Sequence, residues 1–259
     1  MAEALVRSSS DARGVTWLTL ARPDRRNAFD AELIAALTAA AAAVPHDARA
    51  VVLGAEGDTF CAGADLNWMK SMIDFGRERN LADSRALAAM FAALHDLEMP
   101  LLARVQGAAL GGGAGLVAVA DIAIASSEAV FGFTEVRLGI MPSVVSPYVV
   151  QKIGRGHATA LFTSGLRFDA PRALEVGLVE AVAAPAELDA TLTLYVDAVV
   201  AGGPNAVRAA KRLVREVAGR SPADVRELTI EWIAGLRVSP EGQEGMRAFL
   251  EKRKARWDT

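Results

Sequence analysis

Gly107-Ala108-Ala109-Leu110-Gly111-Gly112-Gly113-Ala114-Gly115 is the stretch on which the reading of the fold turns. It follows the apolar run Leu101-Leu102-Ala103-Arg104-Val105 and leads into helix-compatible residues. Upstream, Phe60-Cys61-Ala62-Gly63-Ala64-Asp65 repeats the arrangement after Ala50-Val51-Val52-Leu53. Apolar run, small-residue loop and helix, in that order, mark a strand-to-helix junction in an α/β protein. Small residues there leave backbone N–H groups uncovered and admit a ligand where a β-carbon would stand. Two such N–H groups aimed at one point would form an oxyanion hole.

Outward from these loops the pattern continues. Val15-Thr16-Trp17-Leu18-Thr19-Leu20 alternates like a strand and stops at Arg22-Pro23. Asp30 is placed to cap a helix running through Leu33, Ile34, Leu37 and Ala39 to Ala43. Asn67 to Asn80 mixes large apolar and charged groups without periodicity and reads as a flap over a pocket, whereas residues 81–98 read as a helix. A helix from Gly112 or Gly113 to about Ala120 is expected next, then strands at Ile122–Ala125 and Val130–Phe131. After Pro142 helices are expected to fill most of the chain; from Pro204 onward the pattern is purely helical, with Pro222 and Pro240 at helix starts. Residues 1–200 therefore read as alternating strands and helices, and residues 201–259 as an all-helical appendage.

Composition narrows the classes. The 259 residues are 52% hydrophobic, enough for a large core. A net charge of -3 gives no long-range attraction to nucleic acid or an anionic membrane. The single cysteine, Cys61, excludes an intramolecular disulfide and a cysteine-built metal site, which fits a reducing cytosol. Met1 to Arg7 lacks the form of a secretory signal, and the longest apolar region, Leu101 to Ala125, is broken by Arg104, Gln106, Asp121 and glycines. The expectation is a soluble, cytoplasmic protein. His46, His95 and His157 follow no metal or triad spacing, and no Ser/His/Asp arrangement can be placed. Cys61 reads as a packing residue. Glu135, in Phe131-Gly132-Phe133-Thr134-Glu135, is followed by Val136, Leu138 and Ile140; burial among these apolar groups would raise its pKa into the range useful for proton exchange with carbon.

Taken in order, these motifs resemble the enoyl-CoA hydratase/isomerase (crotonase) family across nearly the whole chain. The resemblance implies a crotonase spiral of repeated ββα units, closed by a C-terminal helical module that builds trimers or hexamers. It implies an acyl-CoA thioester substrate, no metal, and no cofactor beyond the coenzyme A of the substrate. Arg25-Arg26-Asn27-Ala28 is similar to the family's first coenzyme A loop, giving Arg25 and Ala28 as contacts. Cys61-Ala62-Gly63-Ala64-Asp65 is similar to its Ala-Gly-Ala-Asp loop: Ala62 would meet the adenine, Ala64 would supply one oxyanion-hole N–H, and Asp65 and Leu66 would complete the coenzyme A contact. Gly112 would supply the second N–H, and Glu135 would carry the proton. Glu241 to Arg253 resembles the C-terminal signature, from which Phe249 and Lys252 would reach the coenzyme A site, often in a neighbouring subunit.

One departure bears on the reaction. Family hydratases carry a second glutamate where this chain has Gly115. An allylic double-bond shift needs one base, so Gly115 favours an isomerase on chemistry alone. Against that, Ala64 to Met69, Gly113-x-Gly115-Leu116 and Met141 to Val149 resemble a bacterial subgroup associated with leucine and isoprenoid catabolism and assigned as 3-methylglutaconyl-CoA or carboxygeranoyl-type hydratases. Ser143, Ser146, Asp74 or Glu78 would then assist with water, and Arg137 or Arg104 would meet a substrate carboxylate. Hydration of a branched 2-enoyl-CoA is the preferred expectation. Δ3,Δ2-isomerisation and acyl-CoA binding without turnover are the alternatives.

Overall fold

The computed structural model describes residues 4–258. Met1-Ala2-Glu3, part of the segment read as lacking a secretory signal, lies outside the described residues. A six-stranded sheet runs in the order β1 (Val6–Ser10), β2 (Val15–Leu20), β3 (Ala50–Ala55), β4 (Leu101–Val105), β6 (Ile122–Ser126), β9 (Ala181–Ala183). Only β1 pairs antiparallel to its neighbour; every other pairing in this sheet is parallel. A smaller sheet holds β5 (Ala108–Leu110), β7 (Val130–Gly132) and β8 (Arg167–Asp169). The chain therefore enters the large sheet at β4, crosses to the small one at β5, takes a helix, and repeats the step with β6 and β7.

Both faces of the large sheet are covered, which explains the near-continuous apolar runs of its strands. Val51 and Leu53 face a core shared with α1 (Ala31–Ala42), α3 (Arg77–His95) and α4 (Gly112–Val119). Ala50, Val52, Leu102 and Ile124 face the other way, onto Leu188, Leu192 and Val196 of α7 (Leu188–Ala201). Asp30 caps α1 as expected, accepting from Leu33 N–H at 2.9 Å. The remaining helices are α2 (Leu66–Met72), α5 (Ser146–Ser164), α6 (Ala170–Glu175), α8 (Pro204–Val217), α9 (Pro222–Val238) and α10 (Pro240–Leu250).

Several sequence readings need correction. The proposed flap is helical over Leu66–Met72, and the next helix starts at Arg77 rather than 81 and ends at His95. Asp65 nucleates the first of these, accepting from Asn67 and Trp68 N–H at 2.8 and 3.1 Å, and Gly76 opens the second. Periodicity was absent because α2 buries none of its residues completely. The polar strand β1 and the three-residue strands β5, β8 and β9 carry too little alternation to be read.

Helix α8 is fastened to the strands' connections by basic side chains. Arg208 donates to the carbonyls of His46 and Ala48, Lys211 to Met99 O (3.0 Å) and Asp121 Oδ2 (2.6 Å), and Arg215 to His95 O. Arg49 holds the end of α7, donating to Val200 O and Gly202 O at 2.6 and 2.7 Å. Among the described residues no helix is long and apolar enough to cross a membrane.

Candidate active site

The two small-residue loops lie side by side. Cys61 N–H donates to Ala108 O and Leu110 N–H to Cys61 O, both at 3.0 Å, which extends the small sheet by one bridge. Gly63, at φ +91°, passes so near β5 that a β-carbon there would sit 2.9 Å from Leu110 O. Gly113 is tighter still, since its β-carbon would fall 2.2 Å from Cys61 O. Glycine is required at both positions by this approach. Among the described residues neither Ala64 N–H nor Gly112 N–H has an acceptor. Gly112 is the first residue of α4, where N–H groups are unpaired by construction. Cys61 is completely buried, and burial pushes its thiol to about 12, so it is a packing group and no nucleophile.

Glu135 opens a short 3-10 turn, Glu135–Leu138, that ends at Gly139 with φ +76°. Its carboxylate stands over Gly111, with Oε1 3.2 Å from where a β-carbon on that glycine would be. Oε2 is buried without a hydrogen-bond partner, the only such side-chain atom among the described residues. Burial pushes the carboxyl above its ordinary 4.5, against the opposing effect of its own backbone N–H. The apolar wall is partly as expected: Phe131 and Phe133 are buried, but Leu138 and Ile140 point to solvent.

The Arg25–Ala28 loop meets the Cys61–Asp65 loop. Arg25 Nη1 lies 3.3 Å from Asp65 Oδ2, and Ala62 N–H donates to Arg26 O at 3.1 Å. Burial alone would raise the Asp65 pKa, but the N–H groups of Trp68 and Asn67 and the Arg25 guanidinium hold it below 3.8. Ala28 is buried, so it can offer a ligand only backbone, whereas Leu66 is exposed. Among the described residues Phe249 and Lys252 make no hydrogen bond or ion pair to these loops; α10 packs on α9 and α8, and Phe249 is 83% exposed.

The groups named for assisting with water or substrate charge fare differently. Arg104 lies on the opposite face of the large sheet and is held by Asp189 of α7, while Arg137 Nε donates to Gly165 O at 2.9 Å. Ser146 Oγ donates to Ser143 O, and Ser143, Asp74 and Glu78 are exposed. Sequence reasoning missed what stands beside Gly115. A β-carbon there would lie 2.3 Å from Val145 Cγ1 and 3.1 Å from Phe91 Cζ. The volume of a second carboxylate is filled by hydrocarbon. A separate concavity of about 600 Å³, between the end of α3 and helices α8 and α9, is lined by Arg208, Arg212 and Trp232 and holds none of the candidate residues.

A six-stranded and a three-stranded sheet meet where two small-residue loops lie side by side, with the Glu135 carboxylate over one of them. The chain belongs to the enoyl-CoA hydratase/isomerase family, whose profile matches residues 10–259. It is 34% identical to a short-chain-enoyl-CoA hydratase of Clostridium acetobutylicum, over 93% of this chain and 92% of that one. A Legionella pneumophila crystal structure assigned as an enoyl-CoA hydratase/isomerase (crotonase) superposes with a TM-score of 0.93 at 40% identity, covering 98% and 99% of the two chains. An enoyl-CoA hydratase of Shewanella pealeana superposes at 0.92 with 36% identity, covering 98% and 96%. The fold is the crotonase fold.

Proposed function

We propose that this chain catalyses the reversible hydration of a branched 2-enoyl-CoA thioester resembling 3-methylglutaconyl-CoA, with Glu135 as its one acid–base group. The observation that carries the reading is the buried, unpartnered Glu135 Oε2 beside the Gly111–Gly113 turn. A carboxylate so placed, with its pKa raised by burial, accepts a proton from water as the oxygen attacks C3. The enolate formed from the thioester is held by Ala64 and Gly112 N–H. Glu135 then delivers its proton to C2, so that water is added and the carboxylate is restored. A raised pKa assists both halves, because a group that must take and return one proton works best near the operating pH. Arg25, Ala28, Ala62, Asp65 and Leu66 are the coenzyme A contacts in this reading.

Residues 201–259 serve as the oligomerisation module. In a homotrimer or a pair of trimers, Phe249 and Lys252 of one subunit would close the coenzyme A site of its neighbour. Exposed Ile230, Ile233, Val238, Met246, Phe249 and Leu250 support an apolar face there awaiting cover.

A second reading is favoured by one observation. The sealed space at Gly115 leaves no room for a second carboxylate, and a 3-enoyl to 2-enoyl shift needs none. Ultraviolet absorbance of the conjugated thioester separates the two. Loss of that band with 3-methylglutaconyl-CoA, with product heavier by one water, supports hydration. Its growth with a 3-enoyl-CoA and no mass change would replace hydration by isomerisation. Binding without turnover of either would leave an acyl-CoA-binding protein.

A further inference from the structure

We propose that Phe29 is a positioning residue that sets the spacing of the two N–H donors, Ala64 and Gly112, while touching no ligand itself; this rests on reading those groups as the oxyanion hole. Phe29 N–H donates to Gly63 O at 2.7 Å, and Phe29 O accepts from Asp65 N–H at 2.8 Å. These two bonds bracket Ala64 in a parallel bridge and leave the Ala64 N–H turned away from Phe29. The ring of the same residue lies under the other donor. Its Cε2 and Cδ2 are 2.8 and 3.0 Å from where a β-carbon on Gly112 would be. One amino acid therefore fixes the first donor with its backbone and floors the second with its side chain.

The residue is itself held on every side. Just before it the chain turns through Arg26 and Asn27, both at φ +52°. Asn27 is fully buried; its Nδ2 donates to Glu56 O and Thr59 O, and its Oδ1 accepts from Arg22 N–H. Just after it Asp30 caps α1 and pairs with Arg22. The Phe29 ring is 2% exposed and meets Phe91 edge-on, at a centroid distance of 6.3 Å and an interplanar angle of 77°. Phe91 in turn touches the space beside Gly115. A smaller side chain at position 29 would leave the backbone bridge to Ala64 in place and take the floor from Gly112. The start of α4 could then settle toward the gap, separating the donors from one common point.

Infrared spectroscopy of a bound thioester reads this directly. Butanoyl-CoA, isotopically labelled at the carbonyl, is saturated and cannot be hydrated, and its carbonyl stretch moves to lower frequency when N–H donors polarise it. The unchanged protein should show that shift, and Phe29→Leu should lose most of it. Turnover in Phe29→Leu should fall about 10- to 100-fold with KM changed by less than about two-fold, as misplacing a reacting group by roughly 1 Å does in other enzymes. Leu192→Ala, on the far side of the large sheet, should cost stability and leave both readouts alone. If Phe29→Leu does not fold, Phe29→Met carries the same test with less loss of volume. A full carbonyl shift and undiminished kcat in the folded variant would overturn the role of Phe29, as would equal losses in Leu192→Ala. No shift in the unchanged protein would instead overturn the oxyanion-hole reading beneath it.

Discussion

Placing a glutamate at position 115, where family hydratases carry one, should injure this protein. The β-carbon alone would lie 2.3 Å from Val145 Cγ1, 3.0 Å from Val145 Cβ and 3.1 Å from Phe91 Cζ. Carbon atoms settle at about 3.5–4.0 Å, so Val145 must retreat by roughly 1.2–1.7 Å. Val145 is 3% exposed and has little space to enter. Overpacking of this kind costs about 1–3 kcal/mol, offset in Gly115→Ala by about 1 kcal/mol of better helix propensity. Gly115→Glu adds a charge with no partner among Phe91 and Val145, worth a further ~3 kcal/mol or more. The sum, roughly 4 kcal/mol, corresponds to a melting point lower by about 8–16 °C for a chain of this size. Thermal denaturation followed by circular dichroism measures it. Gly115→Glu combined with Val145→Gly should recover most of the loss and raise hydration relative to Gly115→Glu alone. A melting point for Gly115→Glu within about 2 °C of the unchanged protein, less than 1 kcal/mol, would refute the packing argument. So would faster hydration from that single change.

Two other expectations follow from the carboxylates. Glu135→Gln keeps the shape and should cut turnover on the order of 100- to 10,000-fold while retaining coenzyme A binding, measured by calorimetry. The folded pKa of Glu135 lies above its unfolded value, so the folded state binds more protons and this group's contribution to stability falls as pH rises past the ordinary 4.5. The Gln variant should accordingly melt no lower than the parent at neutral pH, with any advantage vanishing in acid; an advantage that grows in acid would contradict the burial. Asp65 is the opposite case, with its pKa held below 3.8. Its contribution is present above that value and fades as pH falls through the folded pKa, so Asp65→Ala should cost about 0.5–2 kcal/mol near neutrality, typical of a lost helix cap, and progressively less in acid.

The elements legible in the sequence were those with long apolar runs or unmistakable caps. β2, β3, β4, β6 and α1 could be placed because hydrophobic alternation, a buried parallel run or Asp30 announced each of them. Strands β5, β8 and β9 could not, since three residues held by neighbours across a sheet leave no periodic trace. In the candidate site, the loops around Ala64 and Gly112 were legible as small residues in a special order, and Glu135 stood out by apolar neighbours, of which Phe131 and Phe133 are buried while Leu138 and Ile140 face solvent. The roles of Phe29 and Val145 were invisible. Each is an ordinary hydrophobic residue whose importance lies in which glycine it presses against, and that is a property of tertiary approach. Arg104 failed as a substrate contact for a related reason, because strand alternation sends it to the α7 face between two inward neighbours.

The basic clamp of α8 has a bearing on how the molecule is made. The carbonyls of His46, Ala48, His95 and Met99 belong to the first hundred residues, yet their partners are Arg208, Arg215 and Lys211. During synthesis from the N-terminus, those connections wait for about half the chain to be translated before their donors emerge. A ribosome-bound chain halted before Pro204 should therefore be cut readily by protease in the segments around residues 46 and 97, where the released protein resists. The late helix thus closes connections that the first hundred residues leave open.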